Sequence, residues 1–187
     1  MTEISLVRRR FTVDEYEKMT EAGVLYPEDH VELLAGEIVQ MAAEGVRHMS
    51  CILHANRWFS AQASESAVIL VQSPIKISEH AMPEPDIALL RLEPSLYATR
   101  HPEPRDVLLL IEVSDSSIGR DHAVKLPLYA GAAIYEVWLV DLTTDAVEVY
   151  RDPSAAGYRE MERFGRGATI AVSALPALQV PVDKILP

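Results

Sequence analysis

Two short apolar runs, each with a single acid at one end, constrain this chain more than any other feature. Ile87-Ala88-Leu89-Leu90 follows Pro85-Asp86, and Val107-Leu108-Leu109-Leu110-Ile111 leads into Glu112-Val113-Ser114. Apolar runs of about four to eight residues read as buried strands. A carboxylate in such a strand is costly unless it is paired or bound to a cation. Asp86 opens the first run and Glu112 stands near the end of the second, so the two acids can meet only if their strands are neighbours. Lys125 follows at the head of a Leu/Tyr/Ala-rich run. Two carboxylates with an ammonium nearby would make a hard-cation site with a positive group beside it. The same residues also fit a plainer reading, in which the acids are solvated strand caps and Lys125 is a surface lysine on an amphipathic helix.

The elements around these runs are legible from capping and periodicity. Residues 1–10 read as a loose basic leader. Thr12 and Glu15 form a capping box that opens a short helix ending near Gly23. Val31 to Met41 alternates around Gly36, which predicts a hairpin with the glycine in its turn. From Arg47 to about Ala63, Met49, Ile52, Leu53, Trp58 and Phe59 recur at helical spacing. Ala67 to Ile77 reads as a strand broken at Pro74. Arg91 to Asp106, with three prolines, reads as an exposed loop, and Ser114 to Gly119 as a polar turn. A helix over about Asp121 to Gly131 carries Lys125, with Pro127 in its first turns. Glu136 to Asp141 and Ala146 to Tyr150 read as strands around a Thr143-Thr144-Asp145 turn, and Gly165 to Gly167 as a further turn. Helix, three strands, helix and strand in that order imply an α/β fold, a mixed sheet flanked by helices.

Composition excludes several classes. The 187 residues, 49% of them hydrophobic, suit one domain with a sizeable core and no apolar run long enough to span a bilayer. No apolar stretch follows Arg8-Arg9-Arg10, so the start does not read as a secretory signal. A single cysteine, Cys51, forms no internal disulfide and fits a reducing cytoplasm. The six histidines form no i, i+4 helical pair of the kind zinc proteases use. Neither a phosphate-cradling glycine loop nor a Gly-x-Ser-x-Gly elbow occurs. A net charge of -11 argues against nonspecific coating of nucleic acid, although divalent cations and a local basic patch can offset it.

Pro85-Asp86, Glu112-Val113-Ser114 and Lys125, in that order, resemble the core of the PD-(D/E)XK nucleases. The closer resemblance is to the Uma family of proposed restriction endonucleases, abundant in cyanobacteria and mostly uncharacterised. Supporting segments are Phe11-Thr12-Val13-Asp14-Glu15-Tyr16, Glu32-Leu33-Leu34-Ala35-Gly36-Glu37-Ile38-Val39, Arg47-His48, Glu136-Val137-Trp138-Leu139-Val140-Asp141 and Leu175-Pro176-Ala177-Leu178. The likeness covers roughly residues 11 to 180. It implies a single domain over residues 1–187 with a nuclease-like core at about 47–150, and a restriction-endonuclease-like sheet. It also implies Mg²⁺-dependent, or Mn²⁺-dependent, hydrolysis of DNA phosphodiesters. Asp86, Glu112 and the Val113 carbonyl would hold the metal, and Lys125 would act on the attacking water and on transition-state charge. Glu32, Glu37 and His48 are candidate additions; such glutamates are more often solvated hairpin residues, and His48 reads equally as a helix-capping or surface residue. The usual lysine of the superfamily lies two residues after its acid, where this chain has Ser114, so the resemblance requires a lysine relocated to the following helix. Ala133 stands where relatives have a turn glycine, Tyr135 where they often have proline, and Val137 where an aromatic residue is common. A homodimer would supply two cutting sites. The alternative is a catalytically inactive module of the same fold, acting in binding or assembly.

Overall fold

The computed structural model describes residues 8–41, 45–115, 119 and 121–187. The first seven residues of the expected leader, and residues 116–118 and 120 around the expected polar turn, lie outside the described residues.

The centre is a six-stranded sheet in the order β3-β4-β5-β6-β7-β8. Its strands are β3 (Val68–Val71), β4 (Ile87–Leu90), β5 (Val107–Ser114), β6 (Glu136–Asp141), β7 (Ala146–Ser154) and β8 (Gly157–Gly165). Only β5 and β6 run parallel; every other neighbouring pair is antiparallel. The parallel pair requires a crossover, and helix α3 (Leu126–Gly131) provides it. Helix α2 (Val46–Ala63) covers the opposite face.

Side-chain alternation sorts the core into two layers. Ile87, Leu89, Leu109, Ile111 and Trp138 pack with Phe59 and Ala55 of α2. Ala88, Leu90, Leu110 and Val137 pack with Leu126 and Tyr129 of α3. A bulge adjusts the sorting: Leu89 opposes Leu109 whereas Leu90 opposes Val107, so Leu108 is the extra residue. A one-residue insertion reverses which face every later residue points to. Counted on from the bulge, Leu110 and Glu112 fall on the α3 side.

Around the sheet, helix α1 (Val13–Glu21) opens with the expected capping box, Thr12 accepting from the Glu15 N–H and Glu15 accepting from the Thr12 N–H. Strands β1 (Val31–Leu34) and β2 (Glu37–Gln40) form the expected hairpin. Its two turn residues, Ala35 and Gly36, both have positive φ, 50° and 82°. A Cβ on Gly36 would meet the Arg10 Cβ at 2.5 Å, so both the turn and the neighbouring chain require glycine. Strands β9 (Thr169–Val172) and β10 (Leu175–Pro181) form a second hairpin beneath the α2 layer.

Several expectations change. The face α2 buries is Cys51, Ile52, Ala55, Phe59 and Ala63, while Met49 and Leu53 are exposed. The strand expected over Ala67 to Ile77 ends at Val71, because Gln72 turns through a positive φ of 40° before Pro74 is reached. Ile75 and Ile77 are still buried, from irregular backbone. The helix expected from Asp121 is a π-helical turn over Asp121–Lys125 followed by α3, with Pro127 in the first turn of α3. Strand β8 was not expected, and it extends the sheet beyond residue 150. No helix among the described residues is long and apolar enough to cross a membrane.

Candidate active site

The register that pairs Ile87 with Ile111 puts Asp86 opposite Glu112 at the end of the β4–β5 ladder. Both acids are buried, with 8% and 4% exposure. The Asp86 carboxylate is fixed from two sides. Its Oδ2 accepts the Val113 N–H at 2.7 Å and lies 3.1 Å from Nε2 of His48, in the first turn of α2. The N–H and C=O of a strand residue leave on the same side. The Val113 carbonyl therefore also faces the Asp86 side, just beyond the start of β4.

Glu112 is held from the α3 side. Lys125 Nζ lies 3.2 Å from its Oε1 and 3.3 Å from its Oε2, and the Tyr129 hydroxyl donates to Oε1 at 2.5 Å. Lys125 and Tyr129 are four residues apart, which on a helical turn places them on one face. The same ammonium lies 3.4 Å from Oε2 of Glu32 on β1. That oxygen also accepts the Glu84 N–H at 3.2 Å, which ties the hairpin to the segment leading into Asp86.

Electrostatics show that the acids face a common region. Burial pushes the Tyr129 phenol well above its ordinary range, and Glu112, Glu32 and Asp86 all push it in the same direction. Burial, with Asp86 second, raises the Cys51 thiol to about 12, so it stays a protonated, inert side chain. Of three buried carboxylates, Glu32 and Glu112 lie against the buried Lys125 ammonium, while Asp86 is held by the Val113 N–H and His48. Carboxylates buried this close to one another are the kind of group that a bound cation stabilises.

The structure thus brings together Asp86, Glu112, Lys125, Glu32 and His48 and sets the Val113 backbone beside them. It does not bring Glu37, which lies on the exposed strand β2 and pairs with Arg8 at 3.0 Å. Sequence reasoning missed Tyr129; its signal was the Lys125-x-x-x-Tyr129 spacing on one helix. Among the described residues, no group of three or more His, Cys, Asp or Glu side chains is already arranged as a metal cage. Mg²⁺ does not need one, since it takes one or two carboxylates and keeps several waters. Asp86, Glu112 and the Val113 carbonyl are all-oxygen donors suited to that cation.

Comparison with known proteins bears on the family and the fold. The sequence profile of the Uma2 family, described as "Putative restriction endonuclease", matches residues 13–183. Among solved structures, the fold is similar to a crystal structure described as a "putative nuclease belonging to DUF820" from Anabaena variabilis. The two share 18% identity with a TM-score of 0.68, over 94% of this chain and 97% of that one. No curated protein matches the chain.

Proposed function

We infer, from a chain that belongs to the Uma2 family of restriction-endonuclease-like proteins, that it hydrolyses phosphodiester bonds of DNA with the help of a divalent cation. The observation that carries this reading is the opposition of Asp86 and Glu112 on paired strands, with the Lys125 ammonium against Glu112.

Asp86, Glu112 and the Val113 carbonyl are the residues that would hold the cation. When bound, Mg²⁺ or Mn²⁺ supplies Lewis acidity toward a phosphoryl oxygen and makes a bound water more acidic. The chain's own groups do the rest. His48 and the Val113 N–H fix the Asp86 carboxylate in one orientation. Tyr129 and Lys125 do the same for Glu112. Lys125 also keeps a positive charge beside the position where negative charge grows as water attacks phosphorus, which is the largest kind of stabilisation available to phosphoryl transfer. Its placement supports the relocated-lysine reading: Ser114 occupies the usual position, and the ammonium comes from the next element instead. The net charge of -11 makes local cation binding a condition for DNA approach. A cytoplasmic homodimer, with one site for each strand, belongs to the same proposal.

The test is nicking of supercoiled plasmid with Mg²⁺ or Mn²⁺ by the wild-type chain and by Asp86→Asn. The expected result is metal-dependent nicking reduced at least ~100-fold in the variant. Nicking that survives undiminished in Asp86→Asn refutes the site. The acidity of the chain favours a second reading, a noncatalytic module of the same fold. Calorimetric titration showing no Mn²⁺ binding at millimolar metal would support that module over the nuclease.

A further inference from the structure

A cavity of about 470 Å³ lies between α1, the β1 strand and the segment before β4, with Glu84 on its lining. Its walls are apolar and aromatic: Tyr16, Leu25, Tyr26, Pro74 and Met82. The volume is in the range of small-molecule sites. Glu84, His30 and Glu21 are also on the lining, together with Glu17 and His101, which pair with each other at 3.4 Å. The Glu84 carboxyl is half-buried; burial first and then Glu32 push it above the ordinary glutamate range, with Lys125 and His30 acting the other way, and its backbone N–H donates to Glu32 at 3.2 Å. Glu84 and Tyr16 are close, since Tyr16's phenol is raised by burial first and then by Glu84 and Glu32.

The ligand's charge and shape follow from these groups. A phosphate or carboxylate would enter against Glu84 and Glu21, with Glu17 already paired to His101, and is disfavoured. A bare hard cation prefers oxygen on every side, and most of this lining is carbon. An alkylammonium satisfies both demands: its charge meets a carboxylate, and its methylenes and the faces of Tyr16 and Tyr26 share the apolar surface. Carboxylates at more than one point of the lining match more than one ammonium. We propose that this cavity binds a small aliphatic polyamine, with one ammonium on the Glu84 carboxylate and the methylene stem across the rings of Tyr16 and Tyr26. The cavity adjoins the carboxylate cluster through Glu84, whose N–H donates to Glu32, but the proposal does not depend on the nuclease reading.

The test is calorimetric titration of the full chain with spermidine and with putrescine, at fixed ionic strength and in saturating Mg²⁺. Three variants are compared with wild type: Glu84→Gln, Tyr26→Ala, and Glu160→Gln on the exposed strand β8. Circular dichroism confirms that each is folded. The expected result is saturable one-site binding of spermidine, weakened at least tenfold in Glu84→Gln, several-fold in Tyr26→Ala and less than twofold in Glu160→Gln. Equal weakening in Glu84→Gln and Glu160→Gln would mean attraction to a generally acidic surface, and would overturn the proposal. So would loss of spermidine binding in saturating Mg²⁺, which would make the cavity an annex of the metal cluster. If Tyr26→Ala binds as wild type while Glu84→Gln fails, the seat across the rings is wrong and the proposal falls in that form.

Discussion

Replacing Lys125 by methionine keeps an aliphatic stem in place and removes the ammonium. In the native chain that ammonium lies 3.2 and 3.3 Å from the two Glu112 oxygens and 3.4 Å from Glu32. The three side chains are 9%, 5% and 2% exposed, so water cannot replace what is lost. Breaking a buried ion pair by removing one partner costs ~3–5 kcal/mol, because the other charge is left uncompensated. In a chain of this length each kcal/mol moves the melting temperature by ~2–4 °C, so Lys125→Met should melt ~6–20 °C below wild type. Adding Glu112→Gln removes one of the stranded charges. The double variant should therefore be more stable than the sum of the two single losses by at least ~1 kcal/mol. Urea denaturation of the four proteins, without added divalent cation, measures both quantities. A loss below ~1 kcal/mol in Lys125→Met would mean that the ammonium is a solvated surface group. Strict additivity in the double variant would mean that Lys125 and Glu112 do not interact. Either result refutes the buried cluster.

Two further outcomes test other parts of the fold. Ala133 is exposed and held at φ 58°. Relief of ~1–2 kcal/mol of left-handed strain, less the added freedom of glycine in the unfolded chain, should make Ala133→Gly more stable by ~0.5–1 kcal/mol in denaturant titration. Arg100 bonds both Asp106 oxygens, at 2.5 and 3.0 Å, and these bonds hold the carboxyl below the ordinary aspartate value of 3.8 against the opposing effect of burial. A depressed folded-state value gives stability that is present above 3.8 and lost as pH falls through the folded-state value. Arg100→Met should therefore be less stable than wild type at pH 7, with the gap closing in acid; a gap independent of pH would contradict the assignment.

The sequence revealed those elements whose local signals agree with their tertiary setting. The Thr12–Glu15 box, the Ala35-Gly36 turn and the β4, β5 and β6 runs all appear where composition and spacing place them. Strand β8 was hidden because Gly157–Gly165 lies mostly exposed and carries Tyr158, Met161 and Phe164 every third residue, a spacing with no strand alternation. The buried face of α2 was misjudged because Met49 and Leu53 are apolar yet exposed, while small Cys51, Ala55 and Ala63 make the contact. Asp86, Glu112 and Lys125 could be named from order and resemblance. Their convergence could not, since it depends on the β4–β5 register and on the bulge at Leu108. Glu32 and Glu37 looked equivalent in sequence, and the hairpin register leaves them on one face; docking of the β1 strand buries the first, while the second, on β2, stands beside Arg8. Ala133, at a position where the resemblance led us to expect a turn glycine, takes a positive φ of 58°, so the side chain there adds strain without changing the topology.

The central claim is that Asp86 and Glu112 hold one divalent cation between them. Anomalous diffraction from crystals soaked in Mn²⁺ tests it directly. The account predicts a strong peak within ~2.3 Å of an oxygen from each carboxylate and near the Val113 carbonyl, and no such peak in Asp86→Asn crystals. Manganese absent from the cluster, or bound at Glu112 and Glu32 with Asp86 still committed to His48, would contradict it.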